Sequence, residues 1–243
     1  MLSVSPQQSF PDSLRIAISE TQDDSLKASL YYKLSKHYYS FVQDSAILYA
    51  KNSLVFADKA GTKKMKGNAL NMGVANLIKS DYEAALRSHL EALKIRENLK
   101  DSLGMLESNL NLGNIYYRSG ELEKAADLYR KALVFALKTK SVKVQGLLYN
   151  NLGSYHLDVW RGSKQQEDYK LAMDYFQKSL SIKEELKDYS GSVNTLTQLA
   201  ELANEVMDFR KGLFFLNRAS LISESNKDLE NKMKSLAICL LII

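Results

Sequence analysis

The sequence predicts an all-α protein built from about five helical hairpins, followed by a partial sixth. Both prolines lie within the first eleven residues, so residues 12–243 contain none of the residue that breaks helices most strongly. Similar local sequences place Gly73, Gly113 and Gly153 at intervals of 40 residues. Apolar residues recur around them at steps of three and four, the pattern of a helix with one buried face. A repeated helical unit is therefore predicted.

Residues 1–26 are predicted to be a lead-in to the first repeat. They contain no basic residue before Arg15 and no long apolar run, so they do not resemble a signal peptide. The compartment stays open on this basis. It is cytoplasmic for the sequence as written, and periplasmic if an upstream signal peptide has been lost.

Five copies of the unit are predicted, at about residues 27–60, 66–100, 106–140, 146–186 and 193–226. The three central copies are the most alike. Their first helices contain LNMGVAN, LNLGNIY and NNLGSYH, and their second helices begin with DYEAA, ELEKA and DYKLA. In the third copy, Ser119 and Gly120 form a predicted turn between the two helices. The glycines of the first blocks are expected where helices approach closely, because a larger side chain there would overpack the contact at a cost of about 1–3 kcal/mol.

The remaining residues, 227–243, are predicted to start a further helix, and they end in eight consecutive apolar residues, Leu236 to Ile243. Three interpretations stay open: the first helix of a truncated repeat, a terminal helix that caps the array, or the beginning of a cut membrane segment. A complete membrane span needs about 20 residues. Membrane contact is therefore expected only through segments absent from this chain.

These blocks resemble the tetratricopeptide repeat (TPR) family. The resemblance is clearest in the third copy, at Leu112, Gly113, Tyr116, Ala125, Tyr129 and Ala132. The period near 40, and the presence of Glu97 and Leu137 where the family usually has proline, resemble the longer repeats of kinesin light chains. The resemblance implies a TPR-like solenoid, an α-α superhelix in which the first helices line a concave groove.

The lead-in carries a second, shorter resemblance. The segments PDSL at 11–14 and DDSLK at 23–27 look like the N-terminal part of bacterial signalling proteins. In those proteins a repeat array precedes a membrane helix and then a histidine kinase or a DNA-binding output domain. This resemblance implies a sensory array without its membrane and output parts.

No sequence motif indicates catalysis. A phosphate-binding loop, a nucleophile elbow, a His-Glu-x-x-His zinc motif and a dinucleotide-binding loop are all absent. The three histidines lie in different repeats, and His89 and His156 stand where other copies have aromatic core residues. The single cysteine, Cys239, excludes a Cys-rich zinc site. The net charge of +5 comes with no continuous basic stripe. We therefore predict no enzymatic activity, cofactor, metal, nucleic acid or small-molecule substrate.

A column of carboxamides is the sharpest candidate site. It consists of the residues two before each small position: Asn71, Asn111, Asn151 and Gln198. By the family resemblance, this column lies near the concave surface. A carboxamide donates and accepts hydrogen bonds, so a ladder of them suits the main chain of an extended peptide. The alternative is that each amide bonds to a neighbouring repeat or to a loop carbonyl.

Further candidates lie one turn along the same face, at Asn114 with Arg118 and at Lys36. The equivalent residues of the last copy are Glu201 and Glu205. We therefore expect a groove that is basic toward one end and acidic toward the other. Such a charge difference could orient a bound partner.

The fourth copy contains about seven additional residues within 159–168, which are predicted to form a polar loop between its two helices. This segment includes Trp160, the only tryptophan. One interpretation is that Trp160 anchors a partner, since tryptophan is enriched at interface hot spots. The other is that it folds back over the core.

These observations predict a non-enzymatic scaffold that binds a peptide or protein segment in a concave groove. The alternative is the sensory array of a bacterial signal-transduction protein, coupled to a histidine kinase or a transcription regulator.

Overall fold

The computed structural model describes residues 10–38, 42–75 and 82–226. These residues form helices joined by short turns, and no strand occurs among them. The predicted further helix at 227–243 lies outside the described residues. The helices are α1 (Phe10–Glu20), α2 (Asp24–Tyr38), α3 (Gln43–Lys59), α4 (Lys63–Ala75), α5 (Tyr82–Asn98), α6 (Ser102–Arg118), α7 (Leu122–Lys138), α8 (Val142–Ser163), α9 (Gln166–Glu185), α10 (Tyr189–Glu205) and α11 (Phe209–Ser225).

The chain divides into two compact units, which end and begin at Ser119 and Gly120. In the first unit, each helix from α1 to α6 packs against the next one along the chain. The lead-in residues contribute α1, whose Leu14 joins Leu30 and Leu34 in a buried cluster. Burial of these side chains attaches the lead-in helix to the first predicted repeat, because apolar area removed from water stabilises the contact.

In the second unit, α7 to α11 also pack in sequential order. Its core contains side chains from α8, α9, α10 and α11, among them Leu157, Phe176, Leu196 and Leu216. The glycine of the fourth copy lies at a close contact, as predicted. A Cβ atom built on Gly153 would be 2.6 Å from Cδ1 of Phe176, far inside the ordinary separation of about 3.5–4.0 Å between carbon atoms.

Aspartates cap the N-termini of α6 and α10, the first helices of the third and fifth repeats. Asp101 accepts a hydrogen bond from the amide of Gly104, and Asp188 accepts one from the amide of Gly191, each at 3.0 Å. These bonds satisfy amides that have no partner within the helix. The turn before each cap contains a lysine with positive φ, Lys100 or Lys187. The turns are therefore tight, and consecutive helices lie side by side.

The polar loop predicted within residues 159–168 is wrong. Helix α8 continues through the first half of that segment and ends at Ser163, and α9 begins at Gln166. The additional residues therefore lengthen the two helices, with Lys164 in the left-handed conformation between them. Trp160 explains this outcome, because it continues the buried face of α8 three residues beyond Leu157.

Candidate functional site: a polar groove between α8 and α10

A groove of about 440 Å³ lies between α8 and α10 in the second unit. Helix α8 contributes Asn150 and Asn151, and α10 contributes Asn194, Thr197 and Gln198. Lys183 from α9 also lines it. Four carboxamides and a hydroxyl thus surround one groove. Such a wall offers hydrogen bonds to a ligand without requiring a charged ligand.

Two hydrogen-bonded links hold α8 and α10 beside each other. Thr195 and Asn150 form one link, with 2.8 Å between Oγ1 and Oδ1. Gln198 and Ser154 form the other, in which Nε2 donates to Oγ over 3.0 Å. Residues 150 and 154 are one helical turn apart, as are 195 and 198, so the links stand one above the other. The spacing of the groove walls is therefore fixed by polar contacts as well as by the apolar core.

Lys183 is a buried charged group that lines this groove together with Asp188. Its side chain is 6% exposed, and its ammonium donates to Asn150 Oδ1 over 2.9 Å and to Thr195 Oγ1 over 2.7 Å. Burial lowers the pKa of Lys183 to about 8, because the charged form loses hydration, and the Asp188 carboxylate opposes that shift. Lys183 thus links α9 to both walls of the groove.

The other end of α8 and α10 carries mixed charge. Arg161 donates to Glu205 over 2.9 Å and lies 3.4 Å from Asp158. Burial raises the pKa of the half-buried Glu201, which disfavours its charged form, while Arg161 acts in the opposite direction. The acidic residues expected here are therefore present, but Arg161 offsets part of their charge.

The structure brings together two members of the predicted carboxamide column, Asn151 and Gln198. Asn111 lies on α6 with Asn114 and Arg118, in the unit that ends at Ser119. Asn111, Asn114 and Asn151 each already interact with another residue. Gln198 donates a hydrogen bond to Ser154 of the neighbouring repeat. This bond is the alternative to peptide binding that the sequence left open for the column.

Two other predicted site residues lie elsewhere in the first unit. Lys36 is exposed near the end of α2. Asn71 belongs to α4, but its side chain lies outside the described residues. The binding role of both residues stays a prediction.

Trp160 does not lie in an exposed loop. It occupies the last turn of α8, its side chain is 5% exposed, and it belongs to the apolar core of the second unit. Its ring meets that of Tyr169 edge to face, with 6.0 Å between the centroids. This burial corrects the placement that underlies the partner-anchor interpretation and agrees with the alternative, packing over the core.

Sequence reasoning missed Asn150 and Lys183. A signal for Lys183 was present, because Arg96 occupies the equivalent position 87 residues earlier. Arg96 is likewise buried and donates to Ser108 Oγ over 2.7 Å and to Asn68 Oδ1 over 3.1 Å. In both units, a basic residue near the end of the second helix of a repeat thus bonds to two other helices. They are the first helix of the same repeat and the first helix of the next repeat.

The described residues contain no group of three or more side chains that could hold a metal ion. His156, in α8, instead lies 2.9 Å from Asp168 through Nδ1, and His89 is fully buried in α5. Both histidines occupy packed positions, as predicted. Across the same part of the chain, each helix is too short or too polar to cross a membrane.

Comparison with known proteins shows what these repeats are similar to. A profile of the tetratricopeptide repeat matches residues 66–137. Residues 66–137 carry tetratricopeptide repeats. Among solved structures, the apo form of RapI is similar over 95% of this chain and 89% of that one, with a TM-score of 0.66 and 22% identity. The Rap conjugation gene regulator of plasmid pLS20 in complex with the Phr* peptide is similar over 99% of this chain and 62% of that one, with a TM-score of 0.65 and 18% identity. The predicted all-α, TPR-like fold is confirmed.

Curated relatives match in sequence over parts of their length. The response regulator aspartate phosphatase I of Bacillus subtilis (strain 168) is 28% identical over 189 residues, 75% of this chain and 46% of the relative. The photosystem I assembly protein Ycf3 of Synechococcus sp. (strain CC9605) is 40% identical over 74 residues, 30% of this chain and 41% of the relative. The TPR chain thus spans less than half the length of these curated relatives.

Proposed function

We propose that this TPR chain is a non-enzymatic interaction scaffold that binds an extended peptide or protein segment in the groove between α8 and α10. One observation carries the proposal: Asn151 and Gln198, two members of the repeated carboxamide column, line one groove together with Asn150 and Asn194. Carboxamides can bond to the main chain of a peptide whatever its sequence. The complex of a similar Rap protein with the Phr* peptide supports a ligand of this class.

The test begins with a random library of 12-residue peptides, selected on the immobilised full chain. Binding of a selected, fluorescently labelled peptide is then measured by anisotropy for the wild type and for Asn151→Ala with Gln198→Ala. We expect the double variant to bind about tenfold or more weakly, because each lost hydrogen bond contributes about 0.5–1.5 kcal/mol.

The matched control is Asn217→Ala, which removes a carboxamide from the exposed face of α11. It is expected to bind like the wild type. Thermal unfolding of each variant shows whether the repeats remain folded, since Gln198 also links α10 to Ser154. Unchanged affinity in a folded double variant contradicts the proposal.

The absence of catalysis is part of the same proposal. The groove pairs Lys183 with amides and hydroxyls and holds it through hydrogen bonds to Asn150 and Thr195. We expect the chain to leave the hydrolysis rate of acetyl phosphate, a small acyl phosphate, at its uncatalysed value. A rate increase that Lys183→Met abolishes would refute the non-enzymatic assignment.

A sensory input array is the second candidate. The similarity to a response regulator aspartate phosphatase over 75% of this chain favours it. A signal peptide and a membrane helix encoded next to the TPR segment, with a kinase or DNA-binding domain beyond them, would support the sensory role. An isolated reading frame without such segments would favour the independent scaffold.

A further inference from the structure

We infer that Asn150 is a fixed hydrogen-bond donor to a main-chain carbonyl of the bound segment, and that Lys183 is the positioning residue that fixes it. This inference rests on the proposed peptide-binding function and adds a direction to one of its contacts. Asn150 is outside the carboxamide column, since it precedes Asn151 by one residue.

The orientation of the Asn150 amide follows from its partners. Its Oδ1 atom accepts from Lys183 Nζ over 2.9 Å and lies 2.8 Å from Thr195 Oγ1. An ammonium group can only donate, so the oxygen of Asn150, and not the nitrogen, must face Lys183. The amide therefore cannot turn over while Lys183 is charged.

The nitrogen of the same amide is left for a ligand. Within residues 10–38, 42–75 and 82–226, no hydrogen bond uses Asn150 Nδ2. Asn150 is half-buried and lines the groove. Its two N–H groups are therefore available to an acceptor in the groove.

Gln198 differs from Asn150 in this respect. Its partner is the hydroxyl of Ser154, at 3.0 Å from Nε2. A hydroxyl both donates and accepts, so Gln198 can turn over and keep that bond. Asn150 is thus the donor whose direction the surrounding structure determines, whereas the Ser154 hydroxyl leaves the direction of the Gln198 amide open, and the Oε1 atom of Gln198 is buried.

The charge of the groove favours a neutral acceptor. Lys183 and Asp188 both line it, and their unit charges are opposite. A carboxylate on the ligand would gain from Lys183 but would be repelled by Asp188. A main-chain carbonyl avoids that repulsion and recurs at every residue of an extended segment.

Amide-to-ester replacement in a selected peptide tests this contact, because an ester carbonyl is a weaker acceptor than an amide carbonyl. Each peptide bond is replaced in turn, and binding to the wild type is measured. We expect one ester position to weaken binding about fivefold. The same ester should change binding less than about twofold in Asn150→Asp, which can accept from Lys183 and Thr195 but has no N–H to donate.

Asn194→Asp is the matched control. It introduces the same negative charge into the groove, at an exposed lining residue that is not held by Lys183, and we expect it to retain the ester effect. Lys183→Met should reduce the ester effect, because the Asn150 amide can then turn over, and Lys183→Arg should restore part of it. A purely structural role of Lys183 would change stability without changing the response to one ester.

The outcomes separate this inference from the proposed function. An ester effect of equal size in the wild type and Asn150→Asp overturns it. So does a loss of binding that follows replacement of peptide Asp or Glu by Asn or Gln, because that result identifies a carboxylate at Lys183. In both cases sensitivity to Asn151→Ala with Gln198→Ala would still support the peptide groove. Failure to select any peptide that requires these residues overturns both proposals.

Discussion

Replacement of Gly153 by alanine tests the close packing of α8 against α9. The added Cβ atom would lie 2.6 Å and 2.7 Å from two ring carbons of Phe176. Since ordinary carbon contacts are about 3.5–4.0 Å, the overlap is about 1 Å. Phe176 is fully buried in the core of the second unit, so its ring has no open space to enter.

Gly162→Ala is a control in the same helix. A Cβ atom at Gly162 would meet no other atom within 4 Å. Alanine should therefore stabilise the protein there by about 0.5–1 kcal/mol, through helix propensity and the lower entropy of the unfolded chain. The same gain applies at Gly153, so the difference between the two variants isolates the overlap. We expect that difference to be about 1–3 kcal/mol in favour of Gly162→Ala.

Urea unfolding followed by circular dichroism measures both variants against the wild type. A double variant, Gly153→Ala with Phe176→Leu, should be less destabilised than the sum of its single variants, because leucine removes the ring atoms that the new methyl would meet. If Gly153→Ala is as stable as Gly162→Ala, the close contact between α8 and α9 does not exist as described.

Four other perturbations follow from the same contacts. Between pH 8 and about 10.5 the unfolded chain holds the Lys183 proton that the folded chain has released. The free energy of unfolding of the wild type, measured in urea relative to that of Lys183→Met, should therefore rise with pH. Arg96→Met should lower the free energy of unfolding by about 2 kcal/mol in the same assay, because Ser108, Asn68 and the carbonyl of Gly104 lose a buried donor. Glu107 also pairs with Arg96, but its side chain is 53% exposed, so Glu107→Ala should lower that free energy by less than about 1 kcal/mol. Trp160→Ala should lower the free energy of unfolding by about 3–5 kcal/mol, whereas an exposed anchor would change it little. Lys140→Gly should stabilise the protein by about 1 kcal/mol, because glycine adopts the φ of 54° at this turn without steric cost, and equal or lower stability in thermal unfolding would contradict that reasoning.

The repeat and its helices could be predicted from the sequence because both leave a local signal. A buried face produces apolar residues at steps of three and four, and a close helix contact requires a small residue, as at Gly153. The prediction of a loop around Trp160 is wrong for a related reason. Its polar residues indicated a loop, but they lie on the exposed side of two helices whose other side joins the core.

The candidate site was predictable only in part. The column containing Asn151 and Gln198 was visible because the repeats align, and the structure places both residues in one groove. Asn150 differs from Asn151 by a single position, and nothing in the linear sequence states which amide atom faces the ligand. That orientation depends on Lys183, which is 33 residues away along the chain.

The sequence by itself thus determined the all-α repeat, the spacing of its helices and the positions that must be small, because these follow from periodic burial along one chain. The tertiary structure decided that Trp160 is a core residue and that Lys183 holds Asn150 with its nitrogen available to the groove. Those features depend on which atoms of different helices meet, within about 3 Å for the hydrogen bonds of Lys183. Residue type and spacing do not specify such distances; the packing of α8, α9 and α10 does.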